Sequence, residues 1–125
     1  MLNKAYLANA IFSSVCAITM LVFSRHLNIE IPMGAAQWDS LAVMLLGFGV
    51  YLVLITCSQT WAKYSAIPVI IGDLLWVIVS TVLAVYFSEF LTLTGWLLIM
   101  LVNLFVGSFA YFQFVGFRLL KRADA

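Results

Sequence analysis

The sequence predicts an all-α membrane protein, an antiparallel bundle of four transmembrane helices. Two observations indicate this fold class. Of the 125 residues, 66% are apolar and 9% are charged, whereas about a quarter of the residues of a soluble domain are charged. In addition, the apolar residues form four runs of about 20 residues, the length that a helix needs to cross the hydrocarbon core of a membrane. The outer surface of the folded chain is therefore expected to face lipid.

The four predicted spans are residues 5–24, 41–59, 66–87 and 95–117, within one integral membrane domain that covers residues 1–125. The segments between the spans are short, and such links favour an up-down-up-down arrangement of consecutive helices. Apolar and polar residues do not alternate with a period of two, so transmembrane strands are not expected.

The first span follows a basic residue, as the apolar core of a signal peptide does. Because LVFSRHL closes the span without a small-x-small cleavage site, we interpret it as a retained helix. At 100° per residue, Asn9, Ser13, Cys16 and Met20 share one face. Amide and hydroxyl groups on a membrane helix favour contacts with other helices over lipid, so this face is predicted to point inward.

The second span carries small and polar residues on two different faces. One face has Ala42, Gly49 and Thr56, and the other has Gly47, Tyr51 and Ser58. Small residues let helix backbones approach closely. The pattern leaves open which face points inward, and the span can be packed on both sides.

The third span contains a carboxylate, Asp73, in an otherwise apolar run. It shares a predicted inward face with Val69, Trp76, Val77, Ser80 and Ala84. An Asp at the centre of a membrane helix costs about 3 kcal/mol, and no Lys or Arg lies within any span. Desolvation disfavours the charged form of a carboxyl group. We therefore expect Asp73 to be protonated, or hydrogen-bonded to Asn9, Tyr51 or Gln113.

The fourth span aligns Trp96, Asn103, Gly107, Ala110 and Phe114 on one face, with Gln113 at its edge. Asn103 lies in the other half of the membrane from Gln113 and is expected to have a separate role. The residues predicted to serve helix packing are Gly49, Ser80, Ala84, Asn103 and Gly107.

Basic residues are concentrated at one end of the predicted bundle. This end has Lys4, Lys63, Arg118, Lys121 and Arg122, whereas the other end has only Arg25, with Glu30, Asp39 and Glu89. The positive-inside rule therefore predicts a multi-pass protein of the cell membrane (inner or plasma membrane) with both termini in the cytoplasm. Aromatic residues near the span ends are typical of interface belts; they are Tyr6, Trp38, Trp61, Tyr64 and Trp96.

An inner polar cluster is the predicted site. At 1.5 Å per residue, Asp73 lies roughly 10 Å, Asn9 and Gln113 roughly 6 Å, and Tyr51 roughly 13 Å from the cytoplasmic ends of their spans. These four side chains are therefore expected to meet, with Trp76 beside Asp73. Asp73 has two alternative roles: a polar clasp between helices, or a ligand-binding or proton-carrying group, since an intramembrane acid is a functional hypothesis by default.

The residue types argue against catalysis, metal binding and cofactor binding. No nucleophile–base pair or metal-ligand cluster is recognisable, and the chain has one His and two Cys without a CxxC pair. A net charge of +1 offers no field that would attract nucleic acid. No enzyme activity and no cofactor or metal are therefore expected.

Several short motifs follow one another along the chain. Asn-x-x-Phe-Ser occurs at residues 9–13, Gly-x-Gly at 47–49 and Asp-Leu-x-Trp-Val at 73–77. Leu-Thr-x-x-Gly occurs at residues 91–95, or in a shortened form at 93–95. Residues 113–118 match Gln-x-x-Gly-Leu-Arg, with Phe117 in place of Leu. In this order the motifs resemble a family of small four-span integral membrane proteins of bacteria that is usually left uncharacterised. The resemblance covers nearly the whole chain; it implies the same topology and no activity.

The function expected from these features is non-enzymatic. The protein is predicted to bind a lipid, a small apolar ligand or partner helices through the cluster around Asp73. The alternative is a small proton-coupled transporter or channel subunit with Asp73 as the proton carrier. Expected partners are membrane lipids, with a second copy of the chain or another membrane protein as further candidates.

Overall fold

The computed structural model describes residues 2–123, apart from the side chain of Ala35. Over this range the chain forms five α-helices, and no strand occurs. They are α1 (Leu2–Val22), α2 (Ser24–Glu30), α3 (Ala35–Ile55), α4 (Gln59–Tyr86) and α5 (Leu93–Ala123), with a 3₁₀ turn at Ser88–Phe90 before α5. The predicted all-α fold is confirmed.

Four of the helices, α1, α3, α4 and α5, are long and apolar enough to cross a membrane. They run alternately up and down, and most of their large apolar side chains are exposed on the outside of the bundle. Such a surface is stable in lipid and costly in water. The chain is therefore a multi-pass membrane protein with a helical bundle.

The helices do not pack equally against one another. The closest pairs are α1 with α3 and α4 with α5, and α1 also packs against α5. In contrast, α3 and α4 have few contacts although they are consecutive in the chain. The helices thus follow the order α3, α1, α5, α4, which leaves the side between α3 and α4 comparatively open.

Two glycines explain how closely α1 approaches its neighbours. A Cβ atom at Gly49 of α3 would lie 2.7 Å from Oγ of Ser14 and 3.3 Å from the backbone oxygen of Ala10. A Cβ atom at Gly116 of α5 would lie 2.9 Å from Cα of Leu2. A side chain at position 116 would require the backbone of α1 to shift, and one at position 49 would require the Ser14 hydroxyl and the Ala10 backbone to give way.

A buried apolar cluster lies at the end of the bundle where α1 begins and α5 ends, which we call the basic end. It contains Leu2, Tyr6, Ala10, Leu52, Ile55, Ala62, Ala66 and Val69. The hydroxyl of Tyr6 donates a 2.7 Å hydrogen bond to the backbone oxygen of Ala62. This cluster joins α1, α3 and α4 near the basic end, and α3 and α4 separate further from that end.

The helix bounds differ from the predicted spans at the turn between α3 and α4. α3 ends at Ile55 and α4 begins at Gln59, so residues 60–65, predicted as a link, are helical. These residues contain no Gly or Pro and favour a helix. The turn itself needs only residues 56–58.

The opposite end of the bundle is closed by α2. The N–H of Thr92 donates to the backbone oxygen of Glu30 at 3.3 Å, and the Thr92 hydroxyl donates to the Glu30 carboxylate. Gly34, with φ of 103°, turns the chain into α3, and its N–H donates to Oδ1 of Asn28 at 2.7 Å. The predicted loop is therefore an ordered segment that contacts α3 and α5.

Two aromatic residues predicted for the interface belts are buried instead. Tyr6 is 0% exposed and Trp38 is 5% exposed. Trp38 donates from Nε1 to the backbone oxygen of Ile31 at 3.2 Å, so α2 covers it. Trp61 and Tyr64 are exposed, as an interface belt requires.

Candidate functional site

Three helices bring three polar side chains together inside the bundle. Asn9 comes from α1, Asp73 from α4 and Gln113 from α5, and they are 1%, 5% and 0% exposed, respectively. Gly116 lies one turn from Gln113, where it lets α5 approach α1. The side chains of Asn9 and Gln113 can therefore reach each other across a narrow gap.

The three side chains form a closed ring of hydrogen bonds. Asn9 donates from Nδ2 to Oδ2 of Asp73 at 3.1 Å and to Oε1 of Gln113 at 3.0 Å. Gln113 donates from Nε2 to the same Oδ2 of Asp73 at 2.8 Å. Ser13 adds a fourth bond, from Oγ to Oδ1 of Asn9, at 3.2 Å. We call Asn9, Ser13, Asp73 and Gln113 the polar cluster.

The partners of the Asp73 carboxyl group are neutral amides. In a medium of low dielectric constant, such hydrogen bonds are stronger than in water, and an unpaired polar group is correspondingly costly. The ring can therefore hold α1, α4 and α5 together without any basic residue. The predicted meeting of Asn9, Asp73 and Gln113 is what the structure shows.

The ring leaves one carboxyl oxygen unused. Both amide donors bond Oδ2, and no residue in the range 2–123 bonds Oδ1 of Asp73. One turn further along α4, Nε1 of Trp76 is enclosed by protein and has no acceptor. It is the only fully enclosed side-chain nitrogen or oxygen without a partner in the described part of the chain. Oδ1 must therefore keep some contact with free space.

Tyr51 does not join the cluster, so this part of the prediction is wrong. Tyr51 is 42% exposed, and its hydroxyl donates to Oγ of Ser65 at 2.9 Å. The error comes from the end of the helix: because α3 ends at Ile55, Tyr51 lies only roughly 6 Å from that end. Its side chain reaches the first turns of α4 rather than the level of Asp73.

Ser13 and Tyr6 contribute to this region, although neither was predicted as a site residue. Both are buried and share the inward face of α1 with Asn9. The spacing of residues 6, 9 and 13 follows the three-and-four pattern of one helix face. That pattern could have identified Tyr6, whose position near the end of the span suggested an interface role.

The predicted packing residues fall into different places. Ser80 donates to Oδ1 of Asn103 at 2.9 Å, and Asn103 donates from Nδ2 to Oγ1 of Thr81 at 3.1 Å. These bonds, with the buried Ala84, join α4 to α5 away from the polar cluster, as expected for Asn103. Gly49 lies between α1 and α3. Gly107 has no atom within 4 Å of a built Cβ, so among residues 2–123 no other helix is in close contact with it.

Two surface clefts lie apart from the polar cluster. One, of about 380 Å³, is lined by α5 residues that include Gly107 and Tyr111. The other, of about 280 Å³, lies at the start of α4 beside Gln59 and Lys63. Neither is lined by Asp73 or Trp76. Within residues 2–123, no three His, Cys, Asp or Glu side chains are grouped so as to hold a metal ion.

The polar cluster can thus do two things chemically: it can clasp three helices, and it can offer one carboxyl oxygen to a further group. Any role beyond the clasp has to be inferred from these residues. No protein-family model matches the chain, and no curated protein or solved structure matches it.

Proposed function

We propose that this chain is a non-enzymatic membrane protein that binds a lipid or another small, largely apolar molecule beside the polar cluster. The observation that carries the proposal is the unused carboxyl oxygen of a buried acid, Oδ1 of Asp73. A buried donor or acceptor that lacks a partner costs about 1–3 kcal/mol. A bound molecule that bonds Oδ1 of Asp73 would remove the cost.

A purely structural role, in which the polar cluster only holds helices together, explains less of the geometry than a binding role does. Holding α1, α4 and α5 together requires only the bonds among Asn9, Asp73 and Gln113. An amide in place of the carboxyl group would supply the same acceptor for those bonds. The second carboxyl oxygen is not needed for packing, which supports a binding role.

The chemistry of the cluster supports a function other than catalysis. Its one hydroxyl group, on Ser13, donates to Asn9, and an amide is too weak a base to activate a hydroxyl nucleophile. We also propose an orientation. The excess of basic residues at the basic end supports a location of that end in the cytoplasm, with the chain in the inner or plasma membrane.

The experiment that tests binding is an assay of copurified molecules. Wild-type protein is purified in a mild detergent, washed extensively, and extracted for mass spectrometry of lipids and small molecules. We expect a retained molecule in a fixed ratio to protein, and we expect Asp73→Asn with Trp76→Phe to lose most of it. Asp39→Asn, which changes an exposed acid in the first turns of α3, is the matched control. Equal retention by all three proteins would exclude binding at this site.

A second candidate function is a proton-coupled transporter or channel subunit. The observation in its favour is that Oδ1 can take up a proton while Oδ2 keeps both amide bonds. A bundle of four helices has little room for a pore along its own axis, so this function would require an oligomer. Proton flux in liposomes that is present in wild type and absent in Asp73→Asn would favour it over a binding protein.

A further inference from the structure

We propose that the outward face of α5 binds a second copy of this chain, so that two bundles pair through their α5 helices within the membrane. The residues of this face, which we call the α5 seam, are Leu97, Leu101, Leu104, Ser108, Tyr111 and Val115. The pairing is independent of the proposed ligand, because the seam contains no residue of the polar cluster and lies on the outside of the bundle.

The α5 seam is not covered by any other helix in residues 2–123. Its larger side chains are between 52% and 68% exposed; they are those of Leu97, Leu101, Leu104 and Tyr111. Along α5, the members of the seam are separated alternately by four residues and by three. This is the spacing of the contact positions in two parallel helices that cross at about 20°. The seam is therefore a continuous stripe along which a second membrane helix can pack.

Tyr111 places a hydroxyl group on this otherwise largely apolar face. Its ring contacts Phe112, but its hydroxyl forms no hydrogen bond with any residue in the range 2–123. Arg118 is the next charged residue along α5, so Cα of Tyr111 lies roughly 10 Å inside the basic end. Helix side chains lean toward the N-terminus of their helix, which carries the hydroxyl deeper. Lipid tails offer no acceptor, and an unpaired polar group in hydrocarbon is costly.

Ser108, one turn before Tyr111, offers a matching acceptor. The hydroxyl of Ser108 donates to the backbone oxygen of Leu104 at 2.8 Å. Its proton is therefore used, whereas the lone pairs of its oxygen stay free to accept a bond. Ser108 and Tyr111 line the same surface cleft, of about 380 Å³, together with Gly107 and Phe112. The seam thus presents one donor and one acceptor side by side.

The membrane restricts how two copies can meet. Both copies insert with the same topology, so a two-fold axis that relates them runs along the membrane normal, and equivalent residues lie at equal depth. In a parallel pair of α5 helices, Tyr111 of each copy packs beside Ser108 of the other. Because the tyrosine leans toward the start of its helix, its hydroxyl reaches the level of this serine. Two reciprocal hydrogen bonds then satisfy both tyrosines.

The surroundings of these bonds permit close contact between the two copies. A Cβ built at Gly107 has no atom within 4 Å, and Ser108 is small. Small residues let the backbones of membrane helices approach closely, and the cleft beside them can receive the Tyr111 ring of the second copy. A lipid tail would fill the same cleft, but it would leave the tyrosine hydroxyl without a partner. This difference favours a second copy over lipid.

Cysteine cross-linking in liposomes tests the pairing. In a background with Cys16→Ala and Cys57→Ala, Leu104→Cys places a thiol on the seam, and the protein is oxidised with copper phenanthroline at a high ratio of lipid to protein. The matched control is Leu75→Cys, at an exposed position of α4 that is 53% exposed and lies at a similar depth. We expect Leu104→Cys to form a covalent dimer and Leu75→Cys to form only the background that random collisions produce.

Two variants connect the dimer to the reciprocal hydrogen bonds. Energy transfer between fluorescently labelled copies, measured over a range of protein-to-lipid ratios, gives the dimer affinity. Tyr111→Phe and Ser108→Ala should each weaken the dimer about 10-fold, because each removes both bonds. The double variant should be no weaker than either single variant. Tyr64→Phe, at an exposed position outside the seam, is the matched control and should have no effect. Thermal unfolding of each variant checks that it is folded.

Three outcomes would overturn the pairing. A monomer at every protein-to-lipid ratio would exclude a second copy and would assign the Tyr111 hydroxyl to a lipid. Stronger cross-linking of Leu75→Cys than of Leu104→Cys would move the contact from α5 to α4. A dimer that is unchanged by Tyr111→Phe and by Ser108→Ala would exclude the reciprocal bonds on which the seam contact depends. None of these results alters the retention of a ligand at Asp73, so the pairing and the proposed function fail separately.

Discussion

At the scale of single residues, the polar cluster shows how one acid is accommodated in a membrane helix. Asp73 is surrounded by amide donors rather than by a basic residue, so its neighbours stay uncharged whichever protonation state it adopts. Within the cluster, Asn9 bonds Asp73, Gln113 and Ser13, and Gln113 bonds Asn9 and Asp73. The loss of Asn9 leaves Oε1 of Gln113 and the hydroxyl of Ser13 without these partners, whereas the loss of Gln113 leaves Oδ2 of Asp73 with one donor instead of two.

The coupling of Asn9 and Gln113 can be measured with a double-mutant cycle. We expect Asn9→Leu and Gln113→Leu each to lower the free energy of unfolding by about 1–2 kcal/mol. The double variant should lose less than the sum, by about 0.5–1.5 kcal/mol, because the two side chains bond each other. Unfolding of the purified proteins in mixed micelles, followed by circular dichroism, gives these values.

The control for the cycle is Gln59→Leu, which alters an exposed amide at the start of α4 and should be within about 0.5 kcal/mol of wild type. Strict additivity of Asn9→Leu and Gln113→Leu would contradict the closed ring of hydrogen bonds.

At the scale of elements, the close contacts of α1 with its neighbours depend on glycines. Glycines with similar neighbours in the sequence differ in whether another helix packs against them. Gly47 and Gly49 both lie in α3 with apolar neighbours. Only Gly49 is in close contact with another helix, because Ala10 and Ser14 of α1 occupy the place of a side chain there. Gly47 faces open space on the lipid side.

This contrast predicts opposite effects of the same substitution. Gly49→Ala should lower the free energy of unfolding by about 1–3 kcal/mol, because α1 has to move away from α3. Gly47→Ala should raise it by up to about 1 kcal/mol, because alanine favours a helix and meets no atom at this position. Thermal unfolding in the same detergent compares the two variants. A similar effect of both would argue against the close contact of α1 with α3.

At the scale of the whole molecule, the bundle has a basic end and an opposite end that is covered by α2. The described basic residues at the basic end are Lys4, Lys63, Arg118, Lys121 and Arg122, and the opposite end holds Arg25 with Glu30, Asp39 and Glu89. Because the membrane helices alternate in direction, the orientation of one helix fixes the side of the membrane on which each connecting segment lies. The distribution of charge supports the basic end as cytoplasmic.

Labelling of single cysteines tests this orientation. In a background with Cys16→Ala and Cys57→Ala, we expect Arg25→Cys to react with a membrane-impermeant maleimide in intact cells from which the outer membrane has been removed. Gln59→Cys should react only after the cells are permeabilised. Both positions are exposed. The reverse pattern would invert the topology and place both termini outside.

The all-α fold, the four membrane helices and the inward faces of α1 and α4 were determined by the sequence itself. Length, hydropathy and helical spacing are local properties, and they place Asn9 and Asp73 on inward faces without knowledge of the neighbouring helices. The inward face predicted for α5 was partly wrong, because Phe114 is 42% exposed whereas Gln113, expected at the edge of that face, is 0% exposed. Helix ends were less predictable, because residues 60–65 are compatible with either a link or a helix.

Tertiary structure alone decided which of these side chains meet. Tyr51 pairs with Ser65 and not with Asp73, since the level of a side chain depends on where the packed helix ends. The open side between α3 and α4 arises because α1 and α5 take the close contacts, with Gly49 and Gly116 as the points of approach. The packing of three helices against one another also decides which oxygen of Asp73 is bonded. It likewise decides that Trp76 Nε1 is enclosed without a partner.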